Sequence, residues 1–315
     1  MIGAVDIGGT KIAAGIVNET GQVLARAECP TDSARSFADG LARISAMLRE
    51  TAAQVGGELR GIGIGCTGPV NPQAGTLGHI EFLPEWSGAN LVAELEREFS
   101  VTAAIENDAD AAALGEAAWG AGQGAHSFIY ITVSTGIGGG LVIDGQLYRG
   151  VDGAHPEIGH HVIDPSGPLC FCGAYGCWES LASGLALARW LNALPSTSSG
   201  SGSSPELVEG ESLDARSICA AADRGDPRAL AAVAREAHYL GLGLANLITL
   251  FIPDVIALGG GLMNSRHLFW GKIQETIRAN CGLVPFEKVR LVPAALGPET
   301  GLAGAAQVWL HHFKS

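Results

Sequence analysis

Two segments of the chain repeat one pattern, in which a short apolar strand, a turn of small residues and a second apolar strand follow one another. The first consists of residues 2–17 with its turn at 8–11, and the second of residues 128–143 with its turn at 134–136. A period of about 124 residues is too long for a solenoid. The pattern therefore predicts two similar α/β domains, each opening with a β-hairpin. The alternative is that two amphipathic hairpins are alike by chance.

Length and composition restrict the possible classes of protein. The chain has 315 residues, and a chain of this length usually divides into two domains. Apolar residues make up 47% of it and charged residues 16%, which excludes wholesale disorder. The net charge of −13 argues against a broad basic surface for nucleic acid.

The sequence predicts neither a secretory signal nor a membrane span. Asp6 interrupts the first apolar run, and no basic region precedes it. The longest uncharged stretch, residues 237–253, is shorter than the ~20 apolar residues of a span, and we expect a buried helix that runs into a strand. We therefore expect a cytoplasmic protein without membrane or nucleic-acid partners.

Periodicity and composition place the remaining elements. An N-terminal α/β domain is expected over residues 1–118 and a C-terminal α/β domain over 119–299, with residues 300–315 packing back onto the first. The Ser/Gly/Pro-rich segment 194–210 is typical of a flexible surface loop.

The turns of both hairpins are candidates for phosphate binding. The first contains Asp6, Gly8, Gly9, Thr10 and Lys11. Glycines allow an anion to approach the backbone, threonine adds a hydroxyl, lysine a positive charge, and the aspartate can hold Mg²⁺ or its water. Thr135 and Gly136 predict a second phosphate turn. The alternative is an ordinary glycine-rich hairpin with a surface lysine.

Gly63, Gly65 and Gly68 match the G-x-G-x-x-G pattern of dinucleotide-binding domains. Pro69 and Pro72 follow where that motif requires a helix to begin. We therefore interpret the segment as a tight turn at the mouth of a domain, with Gly68 as a candidate substrate-binding residue.

Asn107 and Asp108 lie where a predicted strand meets an alanine-rich helix. A carboxylate there can act as a general base, with the asparagine positioning a hydroxyl group. Asn and Asp are also favoured helix N-caps, and the residues alone favour the cap.

Four metal-ligating residues lie close together in the sequence: His160, Cys170, Cys172 and Cys177. A Cys₃His set is a tetrahedral zinc site without an open position, so zinc here is expected to be structural. His161 is a rival ligand that spacing alone does not eliminate. Free buried thiols or a vicinal disulfide are the alternatives.

Taken together, these motifs resemble the ROK family of bacterial sugar kinases and related repressors, over nearly the whole chain. The residues that carry the resemblance are Asp6 to Lys11, Glu106-Asn107-Asp108, residues 134–140, Glu157-Ile158-Gly159-His160 and the cysteine string ending in Glu179.

The resemblance implies a duplicated, actin-like (ribonuclease H-like) two-domain α/β fold with a zinc loop over residues 157–179, and with ATP and a hexose in the cleft between the domains. Asp108 would be the base that takes the proton of the sugar hydroxyl. Sugar-binding candidates are Gly68, Asn107, Asp108, Glu157, His160 and Glu179. The two hairpin turns would hold the phosphates, and Gly260 and Gly261 would lie near the adenosine. Family practice favours His160 over His161 as the zinc ligand.

Three departures from the family pattern concern the identity of the sugar. Ser134 replaces a common glycine, residues 81–86 lack an asparagine found in many glucose kinases, and His155-Pro156-Glu157 is similar to fructose and mannose kinases. ATP-dependent conversion of glucose to glucose 6-phosphate is the first expectation. The alternatives are a kinase of an N-acetylhexosamine (N-acetylmannosamine or N-acetylglucosamine), of fructose or of mannose.

A non-catalytic regulator of the same family is the alternative from another class. A repressor needs a helix-turn-helix domain ahead of its sugar-binding part, and the first hairpin here begins at once, so we expect an enzyme. The family also suggests a homodimer.

Overall fold

A computed structural model describes residues 1–32, 34–194 and 213–313 of the chain. The predicted loop 194–210 lies outside the described residues, except for Leu194.

The described residues form twelve strands and nine α-helices. The strands are β1 (Ile2–Ile7), β2 (Lys11–Val17), β3 (Val23–Pro30), β4 (Gly61–Cys66), β5 (Val70–Asn71), β6 (Thr76–Leu77), β7 (Thr102–Asn107), β8 (Ser127–Val133), β9 (Ile137–Ile143), β10 (Gln146–Leu147), β11 (Val255–Gly259) and β12 (Arg290–Pro293). The helices are α1 (Phe37–Val55), α2 (Leu91–Phe99), α3 (Asp108–Trp119), α4 (Trp178–Ala182), α5 (Gly184–Asn192), α6 (Ala215–Asp223), α7 (Pro227–Phe251), α8 (Arg266–Asn280) and α9 (Thr300–Phe313).

The first sheet has the strand order β3-β2-β1-β4-β7. β1 and β2 form an antiparallel hairpin, while β1, β4 and β7 are parallel to one another. In this register Ile7 lies opposite Cys66, and Cys66 lies opposite Asn107. Because the carboxyl ends of parallel strands meet at one edge of a sheet, the residues that follow these three strands are brought together.

The second sheet has the order β10-β9-β8-β11-β12, which repeats the order of the first. β9 and β10 are antiparallel, and β11 and β12 are parallel. Both predicted hairpins are therefore present, each followed by parallel strands in the same relative positions.

The chain forms two compact units. One consists of Met1–Tyr130, Gly140–Pro156 and Ala294–Ser315, and the other of Ile131–Gly139 and Glu157–Pro293. The sequence placed the domain boundary after residue 118, so residues 140–156 fall in a different unit from the one expected. The reason lies in their contacts, since Arg149 and His155 bind acidic side chains at the start of α3.

Helix starts follow local rules of capping. The side chains of Ser36, Asn90 and Asp226 accept hydrogen bonds from the first turns of α1, α2 and α7. α7 covers most of the long uncharged stretch and ends where Ile252 takes a left-handed conformation. None of the helices in the described ranges is long and apolar enough to cross a membrane.

Two glycines of β4 allow helix α9 to pack closely on this strand. A Cβ atom at Gly63 would lie 1.8 Å from the carbonyl oxygen of Ala305 in α9, and one at Gly61 would lie 2.0 Å from the Trp309 ring. Gly65 and Gly68 are followed by strand β5 and not by a helix. Of the glycines in the G-x-G-x-x-G match, Gly63 thus lies against α9, whereas a Cβ atom at Gly65 would lie 3.1 Å from Ala111 Cβ in α3 and one at Gly68 would lie 3.1 Å from Asn107 Nδ2. Close packing therefore explains the match, in agreement with our rejection of a dinucleotide site.

A buried carboxylate joins α3 to the segment that leads into α9. Glu116 of α3 is wholly buried, and its Oε2 atom accepts hydrogen bonds from the backbone amides of Ala121 (2.8 Å) and Ala295 (3.0 Å). Its Oε1 atom accepts from the amide of Leu296 (2.9 Å) and from the Thr300 hydroxyl (3.4 Å). The side chain thereby satisfies donors that would otherwise be buried without partners.

Glu116→Gln should destabilise the protein strongly, because the amide nitrogen cannot accept the hydrogen bonds of the donors it faces. We expect a loss of about 2–5 kcal/mol in the free energy of unfolding, measured by chemical denaturation. Glu275→Gln, which changes an exposed ion pair with Lys272, is the control and should leave the unfolding midpoint unchanged. Equal midpoints for the two variants would contradict this role of Glu116.

Candidate functional site

Two carboxylates lie at the carboxyl edge of the first sheet. Asp6 precedes the last residue of β1, and Asp108 is the first residue of α3, directly after β7. Gly65 of β4 lies between them, since a Cβ atom there would be 3.9 Å from Asp6 Oδ1 and 3.7 Å from Asp108 Cα. The parallel register thus brings together two acidic residues that are distant in the sequence.

The environment of both carboxyls favours their neutral forms. Burial, and next the charge of Asp108, raise the pKa of Asp6 from 3.8 to about 6, although Lys11 and Arg26 oppose the change. Burial also raises the pKa of Asp108, while the amide of Ala109 and the charge of His155 lower it. A carboxyl with a raised pKa is a stronger base once it is ionised.

Asn107 is the N-cap of α3. Its Oδ1 atom accepts hydrogen bonds from the amides of Ala109 (2.8 Å) and Asp110 (3.4 Å). Its Nδ2 atom would lie 3.1 Å from a Cβ atom at Gly68. The capping and hydroxyl-binding interpretations of Asn107 are compatible, because the cap uses only the oxygen and leaves the amide hydrogens for a ligand.

The turn of the first hairpin is exposed at Gly9, Thr10 and Lys11. The amide of Gly8 donates to the carbonyl of Lys11 (3.0 Å). Lys11 Nζ lies 3.2 Å from Glu28 Oε2, and both side chains are about half exposed at 51%. Exposed pairs of this kind contribute little to stability, so the ammonium group can exchange Glu28 for another anion.

The turn of the second hairpin contacts Glu179. The Glu179 Oε2 atom accepts a hydrogen bond from the amide of Ile137 (2.7 Å). A Cβ atom at Gly136 would lie 2.2 Å from the same oxygen, so a side chain at position 136 would displace the carboxylate. This contact was not predicted from the sequence. The glycine after Thr135 nevertheless indicates that another group approaches the backbone of this turn closely.

Gly260 and Gly261 lie beside the same turn. Gly260 has a φ of +88°, and a Cβ atom there would be 2.4 Å from the carbonyl oxygen of Val133. A Cβ atom at Gly261 would be 3.7 Å from Ser134 Oγ. The second unit therefore gathers Gly260, Gly261, Glu179 and the Ser134–Gly136 turn in one place.

Of the other predicted residues, Glu157 is exposed, just before a short 3₁₀ turn over Ile158–His160. Gly159 in that turn packs on β9, where a Cβ atom would lie 2.1 Å from the carbonyl oxygen of Ile137.

The predicted metal ligands converge. The ligand atoms of His160, Cys170, Cys172 and Cys177 all lie within 4.8 Å of one another. His160 Nδ1 is 3.5 Å from Cys170 Sγ, and the sulfurs of Cys172 and Cys177 are 3.5 Å apart. The neighbouring His161 instead directs Nδ1 to the carbonyl of Ile158 at 2.6 Å. Three sulfurs and one imidazole nitrogen form a donor set that can hold a metal ion.

Asp6→Asn should stabilise the protein at alkaline pH. Because the pKa of Asp6 is higher in the folded chain, its contribution to stability is complete below about pH 4 and is lost as the pH rises through about 6. Raising a pKa from 3.8 to about 6 corresponds to roughly 3 kcal/mol. The free energy of unfolding of the variant, relative to wild type, should therefore increase by up to that amount between pH 4 and pH 8.

The matched control is Asp152→Asn, an exposed residue of the same unit with positive φ, a conformation that asparagine tolerates. It should show no such increase with pH. An Asp6→Asn variant whose relative stability is the same at both pH values would refute the electrostatic cost assigned to Asp6.

Known proteins are similar to this chain in sequence and in fold over nearly its whole length. The profile of the ROK family matches residues 2–312. A glucokinase of Streptomyces coelicolor is 38% identical over 317 residues, which cover 96% of each chain. A ROK hexokinase structure from Thermus thermophilus superposes with a TM-score of 0.83 at 33% identity and covers 100% of this chain and 99% of the other.

A second solved structure is similar to the same extent. A ROK family glucokinase from Streptomyces griseus, in complex with glucose and AMPPNP, has a TM-score of 0.80 at 35% identity over 97% of both chains. The family match extends over nearly all residues, and the chain belongs to the ROK family.

Proposed function

We propose that the chain is an ATP-dependent hexose kinase that converts glucose to glucose 6-phosphate. The observation that carries the proposal is the partly buried Asp108 carboxylate at the start of α3, near Asp6, Asn107 and Gly68. Relatives named glucokinase, and a related structure that holds glucose with an ATP analogue, support this choice of substrates.

In the proposed reaction, Asp108 accepts the proton of a sugar hydroxyl group while the hydroxyl oxygen attacks the terminal phosphorus of ATP. The bond between that phosphorus and the bridging oxygen breaks, and ADP leaves. Phosphoryl transfer depends on positioning and charge stabilisation more than on covalent catalysis. A carboxylate whose pKa is raised by burial suits a proton acceptor near neutral pH.

The sugar-binding residues in this proposal are Gly68, Asn107, Asp108, Glu157, His160 and Glu179. The geometry supports a donor role for the Asn107 amide, whose oxygen alone is used by the cap. Glu179 already uses Oε2 for the backbone of Ile137, so we assign only its Oε1 atom to the sugar.

The ATP-binding residues in this proposal are Asp6, Gly8, Gly9, Thr10, Lys11, Thr135, Gly136, Gly260 and Gly261. The exposed turn and the exchangeable ammonium of Lys11 support phosphate binding at the first hairpin. Asp6 would hold Mg²⁺ or its water, and that ion would neutralise phosphate charge.

We also propose a structural zinc ion bound by His160, Cys170, Cys172 and Cys177. The donor set fits, because three sulfurs and one imidazole nitrogen lie within 4.8 Å of one another and supply the four ligands of a tetrahedral zinc site. The ion would fix the segment from Glu157 to Glu179 and keep its carboxylates in place.

The proposed fold is the duplicated, actin-like arrangement, supported by the shared strand order of the two sheets. The homodimer and the cytoplasmic location remain predictions from the sequence.

An assay of ADP release over a panel of sugars tests the proposed reaction. The panel contains glucose, fructose, mannose, N-acetylglucosamine and N-acetylmannosamine, each with ATP and Mg²⁺. Turnover with glucose supports the proposal, and turnover with fructose or mannose alone would favour the reading of His155-Pro156-Glu157 as a fructose or mannose signature. No turnover with any sugar would indicate a sugar-binding regulator.

Asp108→Asn should reduce kcat by about 10²–10⁴-fold, because an amide cannot accept the hydroxyl proton. Glucose affinity, measured by calorimetry, should change little. Asp152→Asn is the matched control and should keep wild-type kcat. A variant that retains more than about a tenth of wild-type kcat would show that Asp108 is not the general base and has only a structural role in the helix.

Cys172→Ser should lose zinc and activity together while the rest of the fold persists, since the core lies elsewhere. Elemental analysis of protein purified without added metal should find about one zinc per chain in wild type and much less in the variant. Cys29→Ser, on β3 and away from the cluster, is the control. Wild-type protein that is fully active without zinc would show that these residues are only buried thiols.

A further inference from the structure

Arg149 binds two buried carboxylates where β7 meets α3, and the proposed function gives this arginine no role. Its partners are Glu106, near the end of β7, and Asp110, in the first turn of α3. All three residues belong to the first unit. Only 5% of the Glu106 side chain and 0% of the Asp110 side chain are exposed. A buried ion pair is often no more stabilising than apolar side chains of similar volume, so stability alone is a weak reason for this cluster.

The guanidinium group of Arg149 holds both carboxylates at once. Its Nη1 atom lies 2.5 Å from Asp110 Oδ2, and its Nη2 atom binds Glu106 Oε2. Because the guanidinium is planar and its donors point in fixed directions, the two carboxylates are held in a fixed relative position. They belong to residues on either side of the Asn107-Asp108 pair, so the arginine spans that pair.

Two histidines also contact these carboxylates. His155 Nδ1 lies 2.6 Å from Asp110 Oδ2, and His312 Nε2 lies 3.1 Å from Glu106 Oε1. A neutral imidazole has one N–H donor, so neither contact requires a charged ring. Within the part of the chain that the structure describes, the buried Asp110 Oδ1 atom has no hydrogen-bond partner. Arg149 and His155 therefore hold this side chain through Oδ2.

Hydrogen bonds lead from the arginine to the proposed base. The backbone amide of Asp110 donates to Asn107 Oδ1 (3.4 Å). The amide of Ala109 donates to Asn107 Oδ1 (2.8 Å) and also to Asp108 Oδ1 (2.9 Å). The first turn of α3 thus orients both side chains. Arg149 fixes that turn relative to β7, because it binds one carboxylate from each element.

We propose that Arg149 is a positioning residue for the reaction proposed above: by binding the carboxylates on both sides of the Asn107-Asp108 pair, it keeps that pair aimed at the sugar hydroxyl. The inference rests on the proposed kinase function and deepens it. Arg149 need not touch a substrate, because it acts through the backbone between β7 and α3. A reacting group displaced by about 1 Å can lower a rate by about 10²-fold, so a small change in this junction should be measurable.

Arg149→Lys tests the inference, because lysine keeps the positive charge but lacks the planar set of donors. A single ammonium group cannot hold both carboxylates in the same relative position. In steady-state assays with each substrate varied, we expect kcat to fall about ten- to hundredfold and the KM for glucose to rise about three- to tenfold. The KM for ATP should change by less than about twofold, since the proposed phosphate turns lie on other segments.

Arg49→Lys is the matched control. Arg49 lies in the same unit, and its Nη2 atom is 2.7 Å from Glu98 Oε1, with 58% of the arginine side chain exposed. The same replacement there removes a guanidinium that contacts no residue of the candidate site. The control should keep the wild-type kcat and both wild-type KM values.

Melting temperatures show whether each variant is folded. The histidine contacts with Glu106 and Asp110 do not involve the replaced side chain and should help Arg149→Lys to fold. If that variant does not fold, Glu106→Gln decides, because it weakens one of the two contacts and leaves the other in place. It should lower kcat and raise the KM for glucose by about threefold each, with the KM for ATP unchanged.

A purely structural role would reduce the fraction of folded enzyme, so kcat would fall while the KM for each substrate kept its wild-type value. That result would overturn the inference, as would wild-type kinetics in Arg149→Lys or an equal rise in the KM for ATP. In each of these cases glucose turnover by the wild type leaves the proposed function intact. A wild-type protein that phosphorylates no sugar would instead overturn the proposed function, and this inference with it.

Discussion

Three of the four hydrogen bonds accepted by Glu116 join parts of the chain about 180 residues apart. They fix the segment 295–300, which leads into α9, and α9 then packs on the glycines of β4. Gly301, at the start of the same helix, touches Asp6, since a Cβ atom there would lie 2.2 Å from Asp6 Oδ2. The position of one carboxylate at the candidate site therefore depends on another carboxylate in the interior. A buried charge is tolerated in Glu116 because every donor around it is used.

Negative charge accumulates at one edge of the first sheet. Asp6 lies on β1 and Glu106 on β7, with β4 between the two strands, and Asp108 and Asp110 lie in the helix that follows β7. Arg149 binds Glu106 and Asp110 directly. A fold selected only for stability would not place carboxyls with raised pKa values side by side. The cost is understandable if the edge is built to receive a proton and a cation during a reaction.

The local elements of this fold could be predicted from the sequence, whereas the contacts between distant segments could not. Both hairpins, the strand-to-helix junction at Asn107 and the cluster of His160 with three cysteines follow from spacing and capping preferences that act over a few residues. The G-x-G-x-x-G pattern shows the limit, because only the position of α9 reveals why its first residue, Gly63, is a glycine. The Glu179 contact with Ile137 and the binding of Arg149 to Asp110 likewise depend on tertiary structure that no local pattern encodes. Family resemblance supplied roles for several of these residues but not the partners that hold them.

The passage of α9 across β4 also has a consequence for the order in which the chain can fold. The first unit takes its last helix from residues 300–313, whereas its strands β1 to β7 end at residue 107. During synthesis, the face of β4 occupied by Ala305 and Trp309 stays uncovered until residues 300–313 have left the ribosome. The second unit, which ends at Pro293, has all of its residues available earlier. The first unit thus begins to be synthesised first but receives its last helix after the second unit is complete. Until α9 packs on them, its apolar strands are exposed and must avoid aggregation.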